Sequence, residues 1–438
     1  MSAEYQPKPK SMRPFFTIWI GQVFSLLGSQ LVQFALIWWL TQQTGSATVL
    51  ALASIAGLVP QVLLGPFVGP LIDRWNRKRT MILADTLVAL STIALAYLFW
   101  SGSVEIWHVY VALFVRALGG AFHFPAMTAS VSLMVPQEHL TRVQGLNQIL
   151  NGGLSIASAP LGALLISVLP MSDVLLIDIV TAALAIATIA FVHVPQPTAA
   201  PGKLGEAQAS YVADLRDGLR YLLNWRGLML LAAMAMLVNM ILSPTSSFMP
   251  LLVTGHFAGT AWHLGLIEAA FGIGILVGGI LLGVWGGFKQ RIYTSLIGLG
   301  GIGFGILVVG LAPADLFPLA IVGMMFGGIM SSLCNGPVMA IFQSTVAPSM
   351  QGRVLTLVGS ATAAMMPLGL ALAGPIADLI GVRTWFLIGG LGTIIVGIVG
   401  FFIPSLVNIE RDRDDYIPEE ESPGVAPLRH SMETVESI

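Results

Sequence analysis

Cysteine is almost absent from this chain: Cys334 is the one example in 438 residues, and it lies inside an apolar run. A disulfide framework and a Cys-rich metal site are therefore excluded. Charge is scarce too. Asp, Glu, Lys and Arg together make up 10% of the residues, where a soluble domain carries about a quarter. The formal net charge is only −2, and the polar segments form no basic face for a nucleic acid. A phosphate-cradling G-x-x-x-x-G-K-(S/T) loop is missing, so nothing points to direct use of ATP, and energy has to come from an ion gradient or from the substrate's own gradient. The seven histidines are scattered, with His108, His123, His256 and His263 read as span-end residues. No catalytic constellation stands out, so no enzyme and no cofactor is expected.

What the chain has instead is long hydrophobic runs. It is 55% hydrophobic, with a mean hydropathy of +0.84, which makes a polytopic α-helical membrane protein the default reading. The runs are continuous rather than alternating, which excludes a β-barrel. About 20 apolar residues cross a bilayer as a helix. On that ruler there are spans at 15–40, 48–71, 80–100, 106–132, 143–169, 173–194, 227–253, 262–287, 292–312, 316–345, 353–380 and 383–404. The first run is too long for a signal peptide and lacks a cleavage site, so it reads as a retained span. Of the 20 Lys and Arg residues, all but Arg116 (mid-span) and Arg383 (opposite loop) fall at or near one face. Cations mark the cytoplasmic side, so both termini are expected inside.

The chain divides into residues 1–14 as a cytoplasmic N-terminus, 15–194 as a six-helix half, 195–226 as a cytoplasmic linker, 227–404 as a second six-helix half and 405–438 as a disordered tail. The linker opens with Pro195, Pro197, Pro201 and Gly202 and continues with Val212, Leu215, Leu219 and Leu222 at helical spacing. It reads either as an amphipathic helix on the inner membrane surface or as a solvated linker helix. The halves repeat at an offset of about 211 residues. Pro125-Ala-Met, Val135-Pro136 and Arg142-Val143 answer to Pro337-Val-Met, Ala347-Pro348 and Arg353-Val354, and Pro160-Leu-Gly answers to Pro367-Leu-Gly. In repeat-built transporters the substrate sits between the halves near the midplane.

The stretch Gly69-Pro-Leu-Ile-Asp73-Arg74-Trp-Asn-Arg77-Lys78-Arg79 puts four cations in a short hairpin between two spans. Its spacing resembles the signature loop between helices 2 and 3 of the major facilitator superfamily. That resemblance implies twelve transmembrane helices in two six-helix repeat halves. It also implies a role for Gly69, Asp73, Arg74, Arg77, Lys78 and Arg79 in a cytoplasmic gate. Asn76 stands where the family has Gly, and a left-handed turn is expected there. Gly69 is expected to allow close helix approach. Asp85, one turn past the loop, is expected to join the same charge cluster through Arg74 or Arg79.

Ionisable groups inside spans are few and each needs a partner, a water path or a proton. They are Asp85, Arg116, Asp178, Glu268 and, near a span end, Asp378. Glu268 is the first candidate for proton coupling or for pairing with a cationic substrate, the alternative being a Glu that reaches water or His263. Asp178 either faces the central cavity or caps a neighbouring helix. Arg116, in Val115-Arg-Ala-Leu-Gly-Gly, resembles the span-4 arginine motif of proton-coupled members, which implies a partner in a proton relay; the alternative is a structural lock for span packing. Span 5 carries Pro160 and Gly162 in a loosened form of the antiporter G-P-x-x-G motif, implying a bendable helix contact. Gln22, Ser25, Gln30, Asn147, Asn151, Asn239 and Gln343 are candidate cavity-lining residues. Met234, Met236 and Met240 offer either core packing or an adaptable binding surface.

Further segments carry a narrower resemblance. Phe16-Thr-Ile-Trp-Ile-Gly-Gln, Leu36-Ile-Trp-Trp-Leu-Thr, Phe114-Val-Arg-Ala-Leu-Gly-Gly-Ala-Phe-His-Phe-Pro-Ala and Gly352-Arg-Val-Leu-Thr-Leu-Val-Gly-Ser are similar to the macrolide-efflux permeases. The likeness covers about residues 15–404. It implies a bacterial inner-membrane exporter that exchanges protons for bulky amphiphilic compounds by alternating access. Siderophore or metabolite exporters, and a uniporter or importer of the same fold, are the alternatives. The expected partners are a small-molecule substrate, protons and the lipid bilayer, with no nucleic acid, and a monomeric carrier is the simplest state.

Overall fold

A computed structural model describes residues 12–72, 75–196 and 216–411. Twelve of its helices are long and apolar enough to cross a membrane. They are α1 (Arg13–Thr44), α2 (Ala47–Ile72), α3 (Arg77–Ser101), α4 (Ile106–Met134), α5 (Leu140–Val168), α6 (Met171–Phe191), α7 (Arg226–Gly255), α8 (Ala261–Trp285), α9 (Arg291–Leu311), α10 (Phe317–Thr345), α11 (Pro348–Ile380) and α12 (Val382–Phe401). Several run a turn or more beyond the apolar ruler, because a helix continues until a terminating residue meets it. Gly45 and Gly102 end α1 and α3 in the left-handed conformation that glycine adopts without strain. α4 and α8 begin with capping boxes, Glu105 with His108 and Thr260 with His263.

The repeat seen in the sequence is also a repeat of packing. In the first half α3 packs on α4 and α6, α2 on α4, and α1 on α5 and α6. In the second half α9 packs on α10 and α12, α8 on α10, and α7 on α11 and α12. The seam between the halves obeys the same symmetry, pairing α5 with α8 and α2 with α11. Small residues make the first of these close: a Cβ added at Gly265 would lie 3.0 Å from Pro160 Cα.

The apolar core is unequal at the two ends of the bundle. At the end away from the basic loop, one cluster runs through both halves, joining Leu36, Leu50 and Leu113 to Phe248, Leu370 and Phe386. At the basic end, among the described residues, there are two clusters instead. One belongs to the first half, with Phe15, Ile72, Met81 and Val143. The other belongs to the second, with Leu228, Ile292, Ile341 and Val354. Apolar contact is what draws the halves together. The bundle is therefore sealed at the far end and parted at the basic end.

The linker and the start of the tail are both more ordered than expected. The described part of the linker, helical over 216–224, is docked on the second half rather than lying free. Leu222 and Trp225 join that half's basic-end cluster, and Asp217 Oδ2 lies 3.5 Å from Arg353 Nη1. The tail does not begin at 405. Residues Pro404–Val407 form a short helix, Leu406 and Ile409 are fully buried, and Glu410 accepts a hydrogen bond from the Arg291 N–H at 2.8 Å. Apolar residues at these positions fill the open end of α7, which explains why the chain stays packed there. The rest of the expected tail and residues 197–215 lie outside the described residues.

Candidate functional site: a two-chambered polar cavity

A cavity of about 530 Å³ lies in the first half beside the seam. Its walls come from α1, α2, α3, α4 and, through Ala182, α6, and Ser247 of α7 lines it from the other half. Ser54 and Ser247 join across the seam, Oγ to Oγ, at 3.0 Å. A second chamber of about 330 Å³ shares Gln22, Leu26, Gly120 and His123 with the first. It continues toward the basic end past Asn147, Gln144 and Asn151. Gln22, Ser25 and Gln30 line the first chamber, and Asn147 and Asn151 line the second. The Asn147 Oδ1 accepts from Trp19 Nε1 at 2.9 Å, which orients the amide. Asn239 and Gln343 line neither chamber. Asn239 donates back to Ala235 O in its own helix, and Gln343 sits exposed near the basic end of α10.

Arg116 and Asp178 are brought together from α4 and α6. Arg116 Nη1 lies 2.5 Å from Asp178 Oδ2, and the two side chains are 8% and 1% exposed. Ser29 Oγ donates to Asp178 Oδ1 at 3.1 Å, Arg116 Nη1 to Thr92 Oγ1 at 2.9 Å, and Arg116 Nη2 to Ser29 O at 3.2 Å. A buried ion pair survives only when its remaining donors and acceptors are satisfied in this way. The pair pins α1, α3, α4 and α6 to one another.

Asp85 departs from expectation. It sits eight residues into α3 from Arg77, about 12 Å along the axis at the helical rise, which carries it from the basic loop into the cavity wall. Its partners there are Gln22, whose Nε2 donates to Oδ2 at 3.2 Å, and His123, whose Nε2 lies 3.5 Å from Oδ1. His123 is thus a cavity residue, not a span-end one. The signal was present: it follows Arg116 by seven residues, which places both on one face of α4.

The basic loop holds helix ends. Lys78 Nζ donates to Ala190 O at 2.7 Å and to Val192 O at 2.9 Å, at the C-terminal end of α6. Arg77, 7% exposed, donates from Nη1 to Ala129 O at 2.7 Å near the end of α4. Cations belong at the negative ends of helix dipoles. Arg79 is exposed, and Asp73 and Arg74 lie outside the described residues. Asn76 is not left-handed: at φ −68° and ψ 106° it is extended and caps α3 by accepting from the Arg79 N–H. Gly69 makes no close approach, since a Cβ there would meet nothing within 4 Å. It lies where the two halves are parted.

Glu268 is exposed on α8, one turn beyond the Gly265–Pro160 contact, without a hydrogen-bond partner among the described residues. His263 is not that partner, because its Nδ1 accepts from Thr260 N at 3.1 Å in the capping box. On α5, Pro160 faces Gly265 of the other half, while Gly162 lies against the Phe34 ring of α1. Asp378, at the far end of α11, accepts from Ala47 N at 2.6 Å, Thr48 N at 3.1 Å and Ser46 Oγ at 2.9 Å. It caps α2 across the seam. Among the described residues no group of three His, Cys, Asp or Glu is placed to hold a metal ion.

Twelve spans in two repeated halves, sealed at one end around a polar cavity, define a carrier of the alternating-access type. The family model of the Major Facilitator Superfamily matches residues 18–370, and the chain belongs to that family. It is 36% identical over 389 residues to macrolide efflux protein A of Streptococcus pyogenes, covering 88% of this chain and 94% of the relative. It is 27% identical over 407 residues to the multidrug efflux pump Tap of Mycolicibacterium fortuitum, covering 91% of this chain and 97% of the pump. Among solved structures, a POT family transporter in complex with a thioalcohol-conjugated peptide shares the fold at a TM-score of 0.68 and 13% identity, covering 91% of this chain and 99% of that one. The nucleoside transporter NupG does so at 0.61 and 13%, covering 86% and 97%.

Proposed function

We propose that this chain exports bulky amphiphilic, macrolide-like compounds across a bacterial inner membrane by alternating access, in exchange for protons. The observation that carries the reading is the unequal core. One continuous cluster closes the far end, two separate clusters leave the basic end parted, and the polar cavity lies between. With the basic end cytoplasmic, as the cation bias supports, the structure is in its loading state. The kinship with a macrolide efflux protein and a multidrug efflux pump supports the direction and the cargo class. A single copy encloses the cavity, which supports a monomeric carrier. Glu268 is the group proposed to load a proton on the second half, since it is an acid with no fixed partner beside the seam. Arg116 and Asp178 serve as the lock that keeps the first half rigid.

The test is accumulation of a radiolabelled macrolide in drug-sensitive cells expressing the chain, with and without a protonophore. The expected result is low accumulation that rises with the protonophore. Glu268→Gln, at normal expression, should abolish pH-driven export, and undiminished export in that variant would reject the coupling role. Accumulation unchanged by expression of the chain would remove macrolides as cargo.

A further inference from the structure

Among the described residues lining either chamber, Asp85 is the only acid, and it stands where the two chambers join. Each group around it can be named. From α1, Gln22 donates to Oδ2. From α4, His123 Nε2 points at Oδ1 from 3.5 Å, and this nitrogen is buried with no hydrogen bond of its own. Arg116, two turns before His123 on α4, is held by Asp178 of α6. That pair is neutral as a whole, so it offers Asp85 no counter-ion. The Asp85 and His123 side chains are 13% and 15% exposed, so a molecule in the cavity can reach both. The remaining wall of the first chamber is uncharged, with the amides of Gln30, Gln33 and Gln61 and the hydroxyls of Ser25 and Ser54 set among Leu58, Val88 and Leu113. Such a wall suits hydroxyl, ether and carbonyl oxygens, and a volume of about 530 Å³ is in the range of small-molecule sites.

We infer that Asp85 is the counter-ion for a protonated amine at the polar end of the cargo, and that His123 competes with that amine for the same carboxylate. The amine end enters the first chamber, where its N–H donates to Asp85 Oδ1 and the glutamine amides take the neighbouring oxygens. The apolar body occupies the second chamber against Trp19, Phe124 and Met127. When His123 is neutral, Asp85 is an anion in a poorly solvated wall, and a cation is drawn to it. When the imidazole gains a proton, its Nε2–H donates to Oδ1 and the carboxylate has its cation. The amine then loses its partner, and its release leaves the site neutral. The proton returns to water when His123 is next displaced. The inference deepens the export reading and rests on it for the direction of travel, but not for the binding itself.

The test is equilibrium binding to the full chain in uncharged detergent micelles, with two radiolabelled probes of equal shape. Dodecyldimethylamine is a cation near neutral pH, and its N-oxide is uncharged. At about pH 8 the wild type should bind the amine at least tenfold more tightly than the N-oxide, as expected for a hydrogen-bonded charge pair. The preference should shrink as the assay is taken from about pH 8 to about pH 6, because an imidazolium at His123 would occupy Asp85 Oδ1. Asp85→Asn should remove the preference, and Asp85→Glu should restore part of it, which separates loss of charge from misfolding. His123→Gln should keep the preference and make it independent of pH over that range. Equal binding of the two probes by the wild type, or no binding of the amine, would overturn the inference. So would a preference surviving in Asp85→Asn, or a pH dependence surviving in His123→Gln. Failure of the export reading is a different result: the binding pattern holds, yet cells expressing the chain accumulate macrolide normally.

Discussion

Removing the Asp378 carboxylate should open the far end of the bundle. Asp378 joins the halves where α2 begins, taking the N–H groups of Ala47 and Thr48 and the hydroxyl of Ser46. The first N–H groups of a helix have no partner within it, and a carboxylate there also meets the positive end of the helix dipole. Hydrogen bonds to a charged group contribute about 1.5–3 kcal/mol each when buried. This end is exposed, so water can replace each lost partner, and the three together are discounted to about 2 kcal/mol. Asp378→Ala should therefore shift the equilibrium toward far-end opening by about 30-fold. If the far-end-open state is about 1% populated in the wild type, it becomes about a quarter of the ensemble. Spin labels at exposed Ser103 and Ala314 report the far end, and labels at exposed Thr141 and Lys289 report the basic end. In a background lacking Cys334, the first pair should gain a longer-distance population and the second a shorter one. Distance distributions identical to wild type would refute the latch, because no other contribution of Asp378 is invoked.

Two further outcomes follow from buried geometry. Arg116→Met or Asp178→Leu alone leaves an uncompensated group in the lock and should destabilise the fold by about 3–5 kcal/mol, whereas the two together should recover much of that loss; thermal unfolding in detergent measures it, and additive losses would refute the pairing. Gly265→Ala places a methyl 3.0 Å from Pro160 Cα, so it should cost the far-end-closed state about 1–3 kcal/mol of overpacking. The spin-label pairs should then shift in the same direction as for Asp378→Ala, and an unchanged distribution would show that the seam has slack.

The membrane class, the twelve spans and the two repeated halves were legible because each is written locally. A bilayer demands an uninterrupted apolar run for every crossing, and duplication leaves its marks at a constant offset, as in Pro125 and Pro337. Much of the site was not legible, since a span's sequence does not say which face turns inward. Asp85 reads as part of a charge cluster because Arg77, Lys78 and Arg79 are its nearest cations along the chain. Only the packing of α1 and α4 against α3 gives it Gln22 and His123. Arg116 and Asp178 are 62 residues apart, and nothing local states that they meet. Gly69 and Asn76 show the same limit from the other side. A motif specifies residue types, but the backbone conformation and the neighbour each one meets depend on which end of the bundle is parted. The sequence by itself determined that this chain crosses a membrane twelve times as two related halves, because hydrophobic length is a one-dimensional property. Only the tertiary structure decided which carboxylates are locked, which one faces the cavity and which end is closed, because those depend on side chains converging from helices far apart in the chain.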